Sequence, residues 1–203
     1  IPARYAIERG AWKEAAQLEP QPVRFAFIKA LTHFARALGA ARSADTVSAE
    51  RDAQELGRIA EALRAAKNSY WATEVEVQHL SASAWLDYAR GNREAALDLM
   101  RTAADLEDAS EKHAVSPGRL IPARELLGDM LLESGKPAEA LAQYERSQLR
   151  DPNRFRSLYG AGQAAAQSGN HDKARIHFSR LLAMAGSGDN RPELEHARRS
   201  LRK

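Results

Sequence analysis

Apolar positions along the chain recur every three to four residues rather than every second one, which predicts amphipathic helices and no strands. Short clusters of Gly, Pro, Asn and Asp interrupt the pattern at regular intervals. Between them, helices are predicted over 2–9, 11–19, 23–42, 46–67, 70–90, 92–109, 121–134, 137–149, 154–168, 171–185 and 191–202. Several interruptions carry their own mechanism. In Ser134-Gly135-Lys136-Pro137, a glycine suited to a left-handed helix end precedes a proline suited to the first turn of the next helix. Asp151-Pro152-Asn153 repeats that logic, and Ser168-Gly169-Asn170 comes close to it. Near the end, Asp189 and Asn190 offer N-caps, and Pro192, Glu193 and Glu195 fill the first turn that follows.

The segments repeat. When 121–154 is set over 155–188, Gly128 falls on Gly162, Leu131 on Ala165, Gly135 on Gly169, Ala140 on Ala174 and Tyr144 on Phe178, always 34 residues apart. Each unit reads as helix, tight turn, helix. Gly128 and Ala140, with their counterparts, let paired helices approach closely, and the aromatic fills the space toward the next pair. Fewer of these features recur upstream. Ala84, Gly91, Ala96, Met100 and Ala103 keep the register within 77–108, while Ala44 with Ala49 and Gly10 with Ala15 keep only its turn and small residue. Between Gly91 and Gly135 the spacing is one period plus ten residues, and the surplus maps to the polar stretch Ser110 to Arg119.

At Leu127, Gly128, Leu131, Gly135, Ala140, Tyr144 and Pro152, and again at Gly162, Gly169, Ala174 and Phe178, the chain resembles the tetratricopeptide repeat family. The likeness extends to the C-terminal part of large bacterial repeat proteins. It implies an all-α, right-handed superhelical solenoid of antiparallel helix pairs. That solenoid is expected over 1–190, with a capping helix at 191–203. Its repeats are clearest at 121–154 and 155–188, partial at 77–108 and degenerate over 1–67. Gly10 and Ala15 read as the second half of a repeat whose first helix begins at or before Ile1, which suggests a piece of a longer protein. Stacked pairs share one core that no single pair could bury.

The resemblance also implies a function: a non-catalytic scaffold whose concave groove, lined by the first helix of each pair, captures a protein or peptide segment. Carried over residue by residue, the groove falls on Gln78, Ser81, Trp85 and Tyr88, then Glu125, Asp129 and Glu133, then Arg156, Tyr159 and Gln163. Aromatic anchors beside polar groups suit a peptide. The acidic trio favours a basic partner. The family's cationic clamp for a terminal carboxylate is not reproduced, because Ser81, Glu125 and Tyr159 stand where a cation is wanted. Glu111 and His113, in the ten-residue surplus, are candidate loop residues, since long loops between solenoid helices carry function.

Composition narrows the alternatives. Ala makes up roughly one residue in five, and 44% of the chain is hydrophobic against 28% charged, which is not the composition of a disordered chain. Cysteine is absent, so there is no disulfide framework, thiol nucleophile or Cys-bound zinc. A formal charge of +3 does not point to nucleic acid, and no apolar run is long enough to span a membrane. Residues 1–110 carry 16 acidic and 14 basic side chains; residues 111–203 carry 11 and 16, the excess gathered at Arg198, Arg199, Arg202 and Lys203. No nucleophile elbow or phosphate loop is present. Two Glu-x-x-His motifs, Glu76 with His79 and Glu193 with His196, could hold a metal only inside a four-helix bundle, which a solenoid is not. No enzyme, cofactor or metal is therefore expected. The remaining alternative is a structural or oligomerisation segment that packs on its own longer chain or on another copy.

Overall fold

A computed structural model of the chain describes residues 2–110, 119–186 and 190–202. Among these residues it is all helical, with eleven helices and no strand. They are α1 (Pro2–Glu8), α2 (Trp12–Ala16), α3 (Ala26–Arg42), α4 (Thr46–Ala65), α5 (Ser69–Ala89), α6 (Arg93–Ala109), α7 (Ala123–Glu133), α8 (Pro137–Arg150), α9 (Phe155–Gln167), α10 (His171–Met184) and α11 (Pro192–Ser200). Each predicted helix is present. The ends differ by a few residues, most at 17–19 and 23–25, which flank Pro20 and Pro22 and lie in irregular chain. The helices pack as adjacent pairs, the arrangement of a tetratricopeptide-like solenoid, in two compact units, 1–123 and 124–203.

One device closes the hairpins of both units. Gly10, Ala44, Gly91, Gly135 and Gly169 all have positive φ, from 63° to 89°. In each case the following amide donates to a carbonyl five residues back: Ala11 to Ala6, Asp45 to Ala40, Asn92 to Asp87, Lys136 to Leu131 and Asn170 to Ala165. These are Schellman closures, which satisfy carbonyls that the helix end leaves orphaned. Five residues after each turn stands a buried alanine: Ala15, Ala49, Ala96, Ala140 and Ala174. Ala44 shows that the geometry persists where glycine is missing.

In the first unit α3 is central, packing on α2, α4 and α5, and α5 packs on α6. Gly39 sets the closest approach, since a Cβ there would lie 2.4 Å from the Trp12 carbonyl oxygen and 2.5 Å from the Ala16 nitrogen. A buried polar knot ties α3 to α4. Asp52 takes His33 Nδ1 at 2.7 Å and Arg36 Nε at 3.0 Å, while Arg36 also donates to the Leu18 carbonyl. Burial pushes the Asp52 carboxyl upward, but the His33 and Arg36 hydrogen bonds overcome it and hold the group below its ordinary value. A second knot binds Arg119 to Glu107 at 3.1 Å and to Glu74 at 3.3 Å.

The second unit shows why its sequence repeats. Tyr144 of α8 is clamped between glycines: a Cβ on Gly128 of α7 would lie 2.8 Å from its ring, and one on Gly160 of α9 2.4 Å. Phe178 of α10 presses on Gly162 in the same way, at 2.5 Å. The α11 helix continues the register for one more half-repeat, with His196 one period after Gly162. It buries Leu194 and Ala197 and packs on α10 and α9.

Candidate functional site

The residues expected to line a groove fall in both units, and their surroundings differ. In the first unit Trp85 is 2% exposed and Ser81 is buried as well. The Trp85 ring is covered by the Arg42 guanidinium, 4.2 Å from its centroid, and the same cation lies 4.9 Å from the Trp12 ring. Trp85 is therefore held in the interior by a cation sandwiched between two indoles. Half-buried Tyr88 meets Trp85 edge-on at 5.3 Å and carries Arg93 over its face at 5.8 Å. Gln78 is half-buried. Its Oε1, the Ser81 hydroxyl and the Trp85 indole nitrogen have no hydrogen-bond partner among the described residues.

In the second unit the acidic residues are engaged. Glu125 is 0% exposed. It accepts from Arg154 Nε at 2.9 Å, Arg156 Nε at 3.1 Å and Ser157 Oγ at 2.8 Å. Asp129 takes Arg156 Nη2 at 2.6 Å and the Tyr144 hydroxyl at 2.6 Å. A buried carboxylate persists only when compensated in this way. Burial and the Asp129 charge push the Tyr144 phenol well above its ordinary range, so it stays a hydrogen-bond donor. Burial opposes the Arg156 charge, yet Asp129 and Glu125 more than restore it. The expectation that Glu125 and Asp129 attract a basic partner is corrected here, because the chain itself supplies their cations. Glu133 is exposed at the end of α7. Arg154 and Ser157 went unrecognised in the sequence, although a cation-rich turn one repeat downstream of two carboxylates was the signal.

One repeat later the arrangement opens. A cleft of about 670 Å³ lies among the ends of α9, α10 and α11. Its lining includes Gln163, with Ala166 and Gln167 on the same helix, His171, Arg175 and Phe178 from α10, and His196 from α11. Tyr159 stands beside it: its hydroxyl meets His196 Nδ1 at 3.3 Å, and its ring and that of Phe178 both lie within 6 Å of the His196 ring. Burial, with the Glu193 charge added, raises the Tyr159 phenol. Glu111 and His113 lie outside the described residues. Of the two Glu-x-x-His motifs, Glu76 and His79 approach to 3.8 Å in the first unit, and the other pair belongs to α11 in the second. Among the described residues no group of three or more His, Asp or Glu is placed to hold a metal ion, and no helix is long and apolar enough to cross a membrane.

Paired helices with glycine-aromatic locks and a side cleft define a helical-repeat interaction protein. Residues 125–190 match the family model of the tetratricopeptide repeat, which supports that family for this segment. No curated protein and no solved structure matches the chain.

Proposed function

We propose that the protein is a non-catalytic scaffold that captures a segment of a protein partner in the cleft at its second matched repeat. Tetratricopeptide repeats and the helical fold support a protein-interaction role in general. The observation that carries the finer reading is the cleft itself. Its volume lies within the range of roughly 300–1,000 Å³ usual for ligand sites. It joins Gln163 of the expected groove to an apolar floor of Ala166, Ala174, Phe178 and Leu201. Tyr159, whose hydroxyl meets His196, serves in this reading as a supporting residue. Selection from a random-peptide phage library, followed by NMR shift mapping, tests it. Binders that perturb Gln163, Gln167 and His196 are expected. An empty selection, or shifts confined elsewhere, counts against the groove.

A second reading, packing against another copy or against further chain, draws on the first unit. Phe25 is 51% exposed, and Tyr5 and Val23 are exposed too. Sedimentation of the wild type beside Phe25→Ser separates it: a concentration-dependent dimer lost in the variant supports this reading, and two identical monomers reject it.

A further inference from the structure

We infer that the cleft among α9, α10 and α11 selects a partner segment carrying Asp or Glu side chains next to an apolar residue. This rests on the groove reading above and gives its partner a chemistry. Among the described residues no carboxylate lines the cleft. Arg175 lines it, is exposed, and forms no ion pair among the described residues. His171 and His196 each bring at least one N–H donor, and Gln163 and Gln167 bring amide donors, while the Ser200 hydroxyl donates to the His196 carbonyl at 3.0 Å. The carboxylates on α10 and α11, Asp172, Glu193 and Glu195, stand outside the lining. Such a donor-rich wall over an apolar floor suits a carboxylate whose neighbour is apolar.

The register explains why this wall is free to bind. One period upstream, Gln163, Gln167 and Arg175 correspond to Asp129, Glu133 and Leu141. There Asp129 is held by Arg156 and Tyr144. In the second repeat the positions of Arg154 and Arg156 carry Gly188 and Asn190, and Phe178 lacks the Tyr144 hydroxyl. The inward-reaching cations and the acids they neutralise are thus both replaced, and what lines the space donates hydrogen bonds.

The peptides selected from the random library provide the test, read for composition. They are displayed without a free C-terminus, so that only side-chain carboxylates are scored. Enrichment of Asp and Glu beside an apolar residue is expected, as is about tenfold weaker binding of the best synthetic, C-terminally amidated peptide to Arg175→Glu, with weakening as salt is raised. Arg175 is exposed, so the variant keeps its fold, and its circular dichroism melt checks this. Arg175→Gln should fall between the two. Selected peptides rich in Lys or Arg, or binding unchanged in Arg175→Glu, would overturn the acidic-partner inference while leaving peptide capture intact. An empty selection overturns peptide capture, and the inference falls with it.

Discussion

The two matched repeats share a backbone plan and differ in what fills the junction after them. After the first, Glu125 and Asp129 are bound by Arg154, Arg156, Ser157 and the Tyr144 hydroxyl. After the second, Tyr159, Gln163 and Phe178 occupy the matching positions beside an open cleft. The aromatic-on-glycine lock is common to both, so it serves the fold. The charged residues are particular to the first and close it. A residue's place in the repeat therefore does not say whether it meets a partner; its neighbours one repeat downstream do.

The largest expected effect comes from breaking the charged junction. Arg156→Met leaves Glu125, fully buried, and Asp129 short of a cation, and should destabilise the second unit by about 3 kcal/mol. Chemical denaturation measures this. Gln163→Ala, at the matching open junction, should cost less than about 1 kcal/mol. Equal losses at both sites would erase the distinction between the junctions.

Next in size are the glycines beneath the aromatic rings. Gly160→Ala forces a methyl group against a Tyr144 ring already pressed by Gly128 on the facing helix, and should cost about 2 kcal/mol. Gly162→Ala meets Phe178 at a similar distance, but the rings beyond it, His196 and Tyr159, stand 5.8 and 6.2 Å from its centroid rather than pressing on it as Gly128 does on Tyr144, so a somewhat smaller loss in melting experiments is expected.

Smaller still is the exchange of the hydroxyl between repeats. Tyr144→Phe removes the 2.6 Å bond to Asp129 and gives the first repeat the chemistry of the second. It should cost about 1.5 kcal/mol, because a hydrogen bond to a charged group is lost while Arg156 remains. The reverse change, Phe178→Tyr, has no carboxylate to meet at the Gln163 position, and denaturation should find it within about 0.5 kcal/mol of wild type.

Helix positions, turns and the repeat were legible because each depends on local chemistry. Gly135 before Pro137 announces a Schellman end followed by a helix start, and Tyr144 opposite Gly128 announces close packing. Ala44 was readable only as a missing glycine, yet it adopts φ 63° and closes the same turn, because the α3 and α4 faces it joins are held by the buried Asp52 knot. The candidate site was less legible. Position in the repeat placed Trp85 and Glu125 on a groove, but the side chains covering them, Arg42 and Arg154 with Arg156, come from other helices and turns. Of the cleft residues, His196 stood out in the sequence only as half of a Glu-x-x-His motif, and nothing local marked His171 or Arg175; α9, α10 and α11 bring them together.

The smallest expected effect is a pH response confined to the second repeat. His177 is buried on α10, and Gln143, which cannot titrate, holds its place in the first repeat. Burial lowers the His177 imidazole below its ordinary value of 6.5, against the pull of Glu145, 3.4 Å from its Nε2. A lowered folded-state value means that the unfolded chain takes up the proton first. The stabilising contribution is complete above the unfolded value and is lost as pH falls through the folded one. Amide exchange in α10 of the whole chain should therefore quicken, relative to α8, as the pH drops from neutral to about 5. His177→Gln should flatten that difference. If α8 and α10 lose protection together, or the variant keeps the wild-type profile, the response does not arise from His177 and the two repeats are alike in this respect.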